Sequence, residues 1–151
     1  MSYLPVLEDA SFIVALIDNK DSNHARAWKV FEFCLKNNNK IKIFIPSIAF
    51  LETTAVLIRK KINTSQVNNS LWKFLHIDNI INIPLIETMA FKLCRKYAAI
   101  LQDETLKNNG FPSFIKTSDF YIATSGIEYE AKILTFDAKM CKRIRPSKDF
   151  E

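Results

Sequence analysis

Short runs of aliphatic and β-branched residues recur along this chain, separated by longer segments with helical periodicity. That alternation restricts the architecture to an α/β fold around a parallel sheet, because parallel neighbours need a crossover segment between them. The strands are expected at Tyr3 to Leu7, Lys42 to Ile45, Ile80 to Ile83 and Ala131 to Phe136, with Arg145 to Phe150 as a further edge strand. Between them the helical segments run from Ser11 to Ile17, Asn23 to Lys36, Ser47 to Lys60, Ser65 to His76 and Leu85 to about Ile100. Thr117 or Ser118 is expected to cap a helix ending at Glu128, and Asp137 to open a last short one. Apolar faces at helical spacing carry Ala27, Val30, Phe31 and Cys34 in the second helix and Val67, Leu71, Phe74 and Leu75 in the fourth.

No repeat, low-complexity tract or linker interrupts the 151 residues, so a single domain over 1–151 is expected, and 48% apolar residues suffice for its core. Only Gly110 and Gly126 are glycines, which rules out a Walker loop or a GxGxxG turn, since both phosphate cradles need several. The three cysteines lie far apart and show no zinc or disulfide spacing, which points to a reducing cytoplasm. No basic leader precedes Glu8 and Asp9, and no apolar run reaches the ~18 residues of a membrane span.

Four acids take special positions in this order of elements. In a right-handed strand, helix, strand unit, the helix starts at the sheet edge where the strand ended. Asp9 follows the first strand, Glu52 lies inside the helix after the second, Asp119 begins the helix feeding the fourth, and Asp137 follows that strand. All four are therefore expected at the carboxyl edge, where open α/β sheets bind ligands. Helix capping explains Asp9, Asp119 and Asp137 one at a time. It does not explain Glu52, whose helical neighbours in SIAFLETTAVLI are apolar and offer no cation. Grouped carboxylates without basic partners call for a divalent ion, and an all-oxygen donor set selects Mg²⁺ or Mn²⁺ over zinc.

Setting those four acids aside leaves 21 basic against 12 acidic side chains, a basic exterior suited to a polyanion. Lys139, Lys142 and Arg143, close after Asp137, are candidate phosphate contacts for such a polyanion, with a solvated face as the plainer account. Ser11 and Thr135 are candidate supports that orient ligands or a water. His24 and His76 are read as structural, Asp18 and Asp21 as solvated turn residues, and Trp28 and Trp72 as core rather than base-stacking groups. Asp103 and Glu104 are read as a polar helix end.

Four segments resemble the PIN-domain family, most closely its VapC-type toxin ribonucleases. VLEDASFIVALIDNKDSNHARA is similar to the family's first strand and D-x-S step at Asp9 and Ser11, and IFIPSIAFLETTAVL to its glutamate-bearing helix at Glu52. KTSDFYIATSGIEYEAKILTFDAKM matches the last acidic motifs at Asp119 and Asp137, with Thr135 two residues before the latter. The resemblance implies a three-layer sandwich, a central parallel sheet of four to five strands flanked by helices, and metal-dependent endonucleolytic cleavage of RNA at Asp9, Glu52, Asp119 and Asp137. It also implies a homodimer and a small antitoxin partner. The competing readings are a PIN-like RNA-processing or RNA-binding protein outside a toxin–antitoxin system, and a Mg²⁺-binding signalling receiver suggested by the pair Glu8-Asp9. The receiver lacks its phospho-acceptor, because IINIPLIE ends without an aspartate.

Overall fold

The computed structural model describes residues 2–78, 80–83, 92, 95 and 117–138. The expected helix from Leu85, the loop at Lys107 to Pro112, Asp103, Glu104, the edge strand at Arg145 to Phe150, and Lys139, Lys142 and Arg143 lie outside these residues. The described elements are β1 (Leu4–Glu8), α1 (Ala10–Ile17), α2 (His24–Lys36), β2 (Ile41–Pro46), α3 (Ser47–Arg59), α4 (Thr64–Leu75), β3 (Ile80–Ile83), α5 (Thr117–Glu128) and β4 (Lys132–Leu134).

All pairings are parallel and the strand order is β3-β2-β1-β4. Because the chain builds outward from β1 through β2 to β3 and then returns to the other side of β1, the order reverses between β1 and β4. Such a switch leaves a crevice outside the strand ends, where ligands bind in open parallel sheets. Consecutive residues are buried in β1 (Val6, Leu7, Glu8) and in β2 (Ile43 to Pro46). Successive side chains point to opposite faces, so both faces of these two strands are covered by helices. Leu7, Ile43, Ile45, Leu57 and Ile122 are fully enclosed, each contributing roughly 1.5–3 kcal/mol by leaving water.

The sheet segment β4 is shorter than the expected Ala131 to Phe136: pairing stops at Leu134, and Thr135 and Phe136 leave the ladder. Their hydrogen-bonding groups turn toward the end of β1 instead. The helix α5 already includes Thr117, so neither Thr117 nor Ser118 stands ahead of it as a cap. A methyl at Gly126 would come within 2.6 Å of Ile133 Cδ1, so glycine is what lets α5 lie this close to β4. With glycine so scarce, other helix ends use costlier residues. Lys61 after α3 and Glu130 after α5 adopt left-handed φ values of 61° and 50°, the position glycine usually takes.

Other details depart from sequence pattern. Trp72 is 66% exposed, because its position on α4 faces away from the buried line Val67, Leu71 and Phe74. Trp28 is half-exposed, with its indole N–H donated to the Leu16 carbonyl. Asp18 is not a solvated turn residue: it is buried at the end of α1 and bridged to Lys60 Nζ at 2.8 Å. Among the described residues no helix is long and apolar enough to cross a membrane.

Candidate active site

The carboxylate of Asp9 stands at the switch between β1 and β4. Its backbone N–H extends the ladder by donating to the Leu134 carbonyl at 3.1 Å. As the N-cap of α1, its Oδ1 accepts from the Ala10 N–H at 2.7 Å, so the capping account holds for this one oxygen. The other oxygen is held differently. Oδ2 accepts from Ser11 Oγ at 2.9 Å and from Thr135 Oγ1 at 2.7 Å. Each hydroxyl also accepts a backbone N–H: Phe136 donates to Ser11 Oγ at 2.9 Å and Asp137 to Thr135 Oγ1 at 3.0 Å. Those N–H groups fix the hydroxyl lone pairs, which leaves both hydroxyl protons free to point at Asp9.

An ionised carboxylate offers about four acceptor directions, and three on Asp9 are filled. Asp9 is only 4% exposed, and among the described residues no salt bridge reaches it. Burial pushes its carboxyl above the usual range; the hydrogen bonds from Thr135, Ser11 and Ala10 pull it back, and the Asp119 carboxylate nearby pushes it up again. Asp119 is therefore near enough to act on Asp9, although 110 positions separate them in the chain.

The remaining acids are less deeply buried. Asp119 lies half-buried in the first turn of α5. Asp137 is half-buried immediately beyond Thr135 and is tied to the same network by its own N–H. Glu52 is half-buried in the second turn of α3, and each of these three interacts with a further group. Among the described residues no three acids, histidines or cysteines enclose one point as a finished metal cage. A two-carboxylate seat still suits Mg²⁺, which keeps several waters and is commonly held by one or two carboxylates together with substrate phosphates. Asp9 and Asp119 would supply hard oxygens to such an ion, and the burial of Asp9 with no salt bridge among the described residues is the environment it would relieve.

Ser11 Oγ and Thr135 Oγ1 also lie 3.0 Å from each other. Sequence reasoning missed two neighbours of this network. Phe136 stacks on Phe12, with centroids 5.6 Å apart, and the Arg26 guanidinium stands 5.8 Å from the Phe136 centroid. A basic residue in the first turn of α2, where the helix dipole disfavours it, was the available signal for Arg26. Glu8 is the other surprise. It is fully buried with neither carboxylate oxygen hydrogen-bonded among the described residues, and burial pushes it up to about 8. Glu8 therefore belongs to the core, and among the described residues no hydrogen bond joins it to Asp9 as part of an acidic pair.

The PIN domain family model matches residues 6–145. A search of curated proteins finds no significant match. Among solved structures, VapBC2 from Rickettsia felis, bound to a DNA fragment from its promoter, is similar with 22% identity and a TM-score of 0.65 over 94% of each chain. VapC20 of Mycobacterium tuberculosis, a sarcin-ricin loop cleaving toxin, matches at 10% identity and a TM-score of 0.66, covering 91% of this chain and 93% of that one. VapBC-1 from nontypeable Haemophilus influenzae matches at 19% and 0.59, covering 93% and 92%. At these identities the likeness is one of fold. With the family model spanning nearly the whole sequence and the sheet, its order and the Asp9 network agreeing with it, the chain belongs to the PIN domain family.

Proposed function

We propose that this chain is a Mg²⁺- or Mn²⁺-dependent endoribonuclease acting as the toxin of a type II toxin–antitoxin pair in the cytoplasm. The observation that carries the reading is Asp9: a buried carboxylate at the topological switch, oriented by two hydroxyls, beside Asp119 and without a basic partner among the described residues. In this reading Asp9 and Asp119 hold the ion, and Glu52 and Asp137 are proposed as further carboxylates of the active site that join it when substrate binds. Ser11 and Thr135 keep Asp9 turned so that its remaining acceptor direction faces the crevice.

A divalent ion bound there supplies the charge that lowers the pKa of an attacking water and stabilises the leaving oxygen. The protein's part is to fix the carboxylates before substrate arrives, which avoids reorganisation during the reaction. Lys139, Lys142 and Arg143 are proposed to bind phosphates of the RNA. A small antitoxin, supported by the VapBC structures that share the fold, and a homodimer complete the proposal. The sarcin-ricin loop cleavage ascribed to VapC20 supports RNA as substrate here without naming which RNA.

The test is cleavage of end-labelled RNA by the purified chain. Activity should require Mg²⁺ or Mn²⁺, vanish with EDTA, and leave 5′-phosphate ends. Cleavage that survives EDTA, or that leaves 2′,3′-cyclic phosphates, would overturn the assignment, because either result bypasses a water activated by a metal.

A further inference from the structure

A site built from carboxylates repels the backbone it must cut. Even with a bound ion, the phosphates flanking the reacting one need cations of their own, because charges on a nucleic acid strand lie only a few ångströms apart. Around the described part of this site, one basic side chain is anchored beside the Asp9 network. Arg26 lies in the first turn of α2, exposed, and its Cζ stands 5.8 Å from the centroid of the Phe136 ring.

That ring is well fixed. It stacks on Phe12 at an interplanar angle of 11°, and the Phe136 N–H is held by Ser11 Oγ, the same hydroxyl that donates to Asp9. Phe136 is also the residue between Thr135 and Asp137, so the guanidinium is tethered to the rim of the acidic crevice by a single side chain. Among the described residues Arg26 forms no salt bridge. A first-turn cation also opposes the dipole of α2, so helix stability does not account for the residue. A guanidinium held by an aromatic face keeps its N–H fork available, and that fork matches phosphate oxygens in a bidentate manner.

We infer that Arg26, held by Phe136, is a phosphate-binding residue for the RNA strand at the rim of the Asp9 site. The inference rests on the nuclease reading for its substrate class but is read out separately. A fluorescein-labelled single-stranded RNA is titrated with the Asp119→Asn chain, with and without Arg26→Ala or Arg26→Lys, over a range of KCl concentrations. In parallel, KM and kcat are measured in the chain with Asp119 intact. Arg26→Ala should lower the log–log salt slope by about 0.7, the share of one phosphate contact on a single strand. It should also raise KM by about tenfold while changing kcat little. Arg26→Lys should keep the salt slope yet raise KM, because an ammonium lacks the fork.

If the chain cuts RNA and Arg26→Ala leaves both slope and KM unaltered, the inference is overturned, and an arginine serving a partner protein would give that result. A chain that binds RNA with the expected change in slope but never cuts it would sink the nuclease reading and leave Arg26 standing.

Discussion

The helix α1 carries an aspartate at each end, and the two have opposite fates. Asp9 at its start and Asp18 at its finish are both buried, 4% and 8% exposed. Asp18 is bridged by Lys60 at 2.8 Å, and Lys60 also reaches Asp21 at 3.2 Å. The Lys60 bond holds the Asp18 carboxyl below its usual range, whereas burial lifts Asp9 above it. At the Asp18 end the chain supplies its own counter-charge, which also offsets the cost of an acid at a helix C-terminus. At the Asp9 end the described residues supply two neutral hydroxyls and a backbone N–H, and a second acid stands nearby. One end carries an internal ion pair, and at the other the described residues offer hydrogen bonds alone.

The strongest way to break that contrast is to neutralise the Asp9 end. Asp9→Asn or Asp119→Asn should reduce RNA cleavage to background, on the order of a thousandfold or more, while circular dichroism shows the helices intact. Retained activity in both would show that neither carboxylate serves the reaction. Removing the hydroxyls that aim Asp9 is a gentler challenge: Ser11→Ala and Thr135→Val should each weaken metal affinity or rate by about 10–100-fold, as groups behind a metal ligand commonly do. Titration with Mn²⁺ followed by electron paramagnetic resonance reads this without relying on turnover.

The third comparison concerns pH. Glu8 ionises at 4.5 when unfolded and at about 8 when folded, so the folded state holds its proton over that window and the unfolded state does not. Stability linked to Glu8 is therefore full below pH 4.5 and is lost as pH rises toward 8, by up to about 1.4 kcal/mol per unit. Asp18 runs the other way. Its contribution is full above 3.8, its unfolded value, and is lost as pH falls from there through the lower folded one. Glu8→Gln should consequently raise the melting temperature at pH 8 and have little effect at pH 4.5. An equal effect at both values would mean that ionisation of Glu8 is not what penalises the fold.

Lys60→Met strips the counter-charge from the Asp18 end. It should cost about 1–2 kcal/mol, moderated by the partial exposure of the ammonium, and leave RNA cleavage unchanged. Loss of cleavage instead would mean that the two ends are coupled. The smallest effect is expected next door, where Lys61→Gly should stabilise by about 1 kcal/mol through relief of its left-handed backbone. Urea denaturation at pH 7 measures both.

Much of this was legible in advance, and for identifiable reasons. β3 is found at its expected limits, Ile80–Ile83, and the faces with Ala27, Phe31, Cys34, Val67, Leu71 and Phe74 are buried as their spacing requires. The edge rule put Asp9 and the end of the fourth strand at one crevice, but Thr135 was expected inside that strand, and only the structure ends the pairing at Leu134 and bonds Thr135 to Asp9. Trp72 and Asp18 were misjudged because side-chain type outweighed position. Indole surface suggests a core and a short acid beside Asn19 suggests solvent, yet the face of α4 and the reach of Lys60 decide otherwise.

Local chemistry, then, determined the alternation of elements, the parallel sheet and the positions along the chain where acids could gather. Only the folded chain decided that one acid at the end of β1 enters the crevice while its neighbour Glu8 is sealed in the core, that Lys60 neutralises Asp18, and that Arg26 comes to rest on Phe136. Periodicity and capping act over a few residues and are written in the sequence. A counter-charge, a desolvated carboxylate or an aromatic perch depends on which distant segments meet, and that is set by the packing of the whole sheet and its helices.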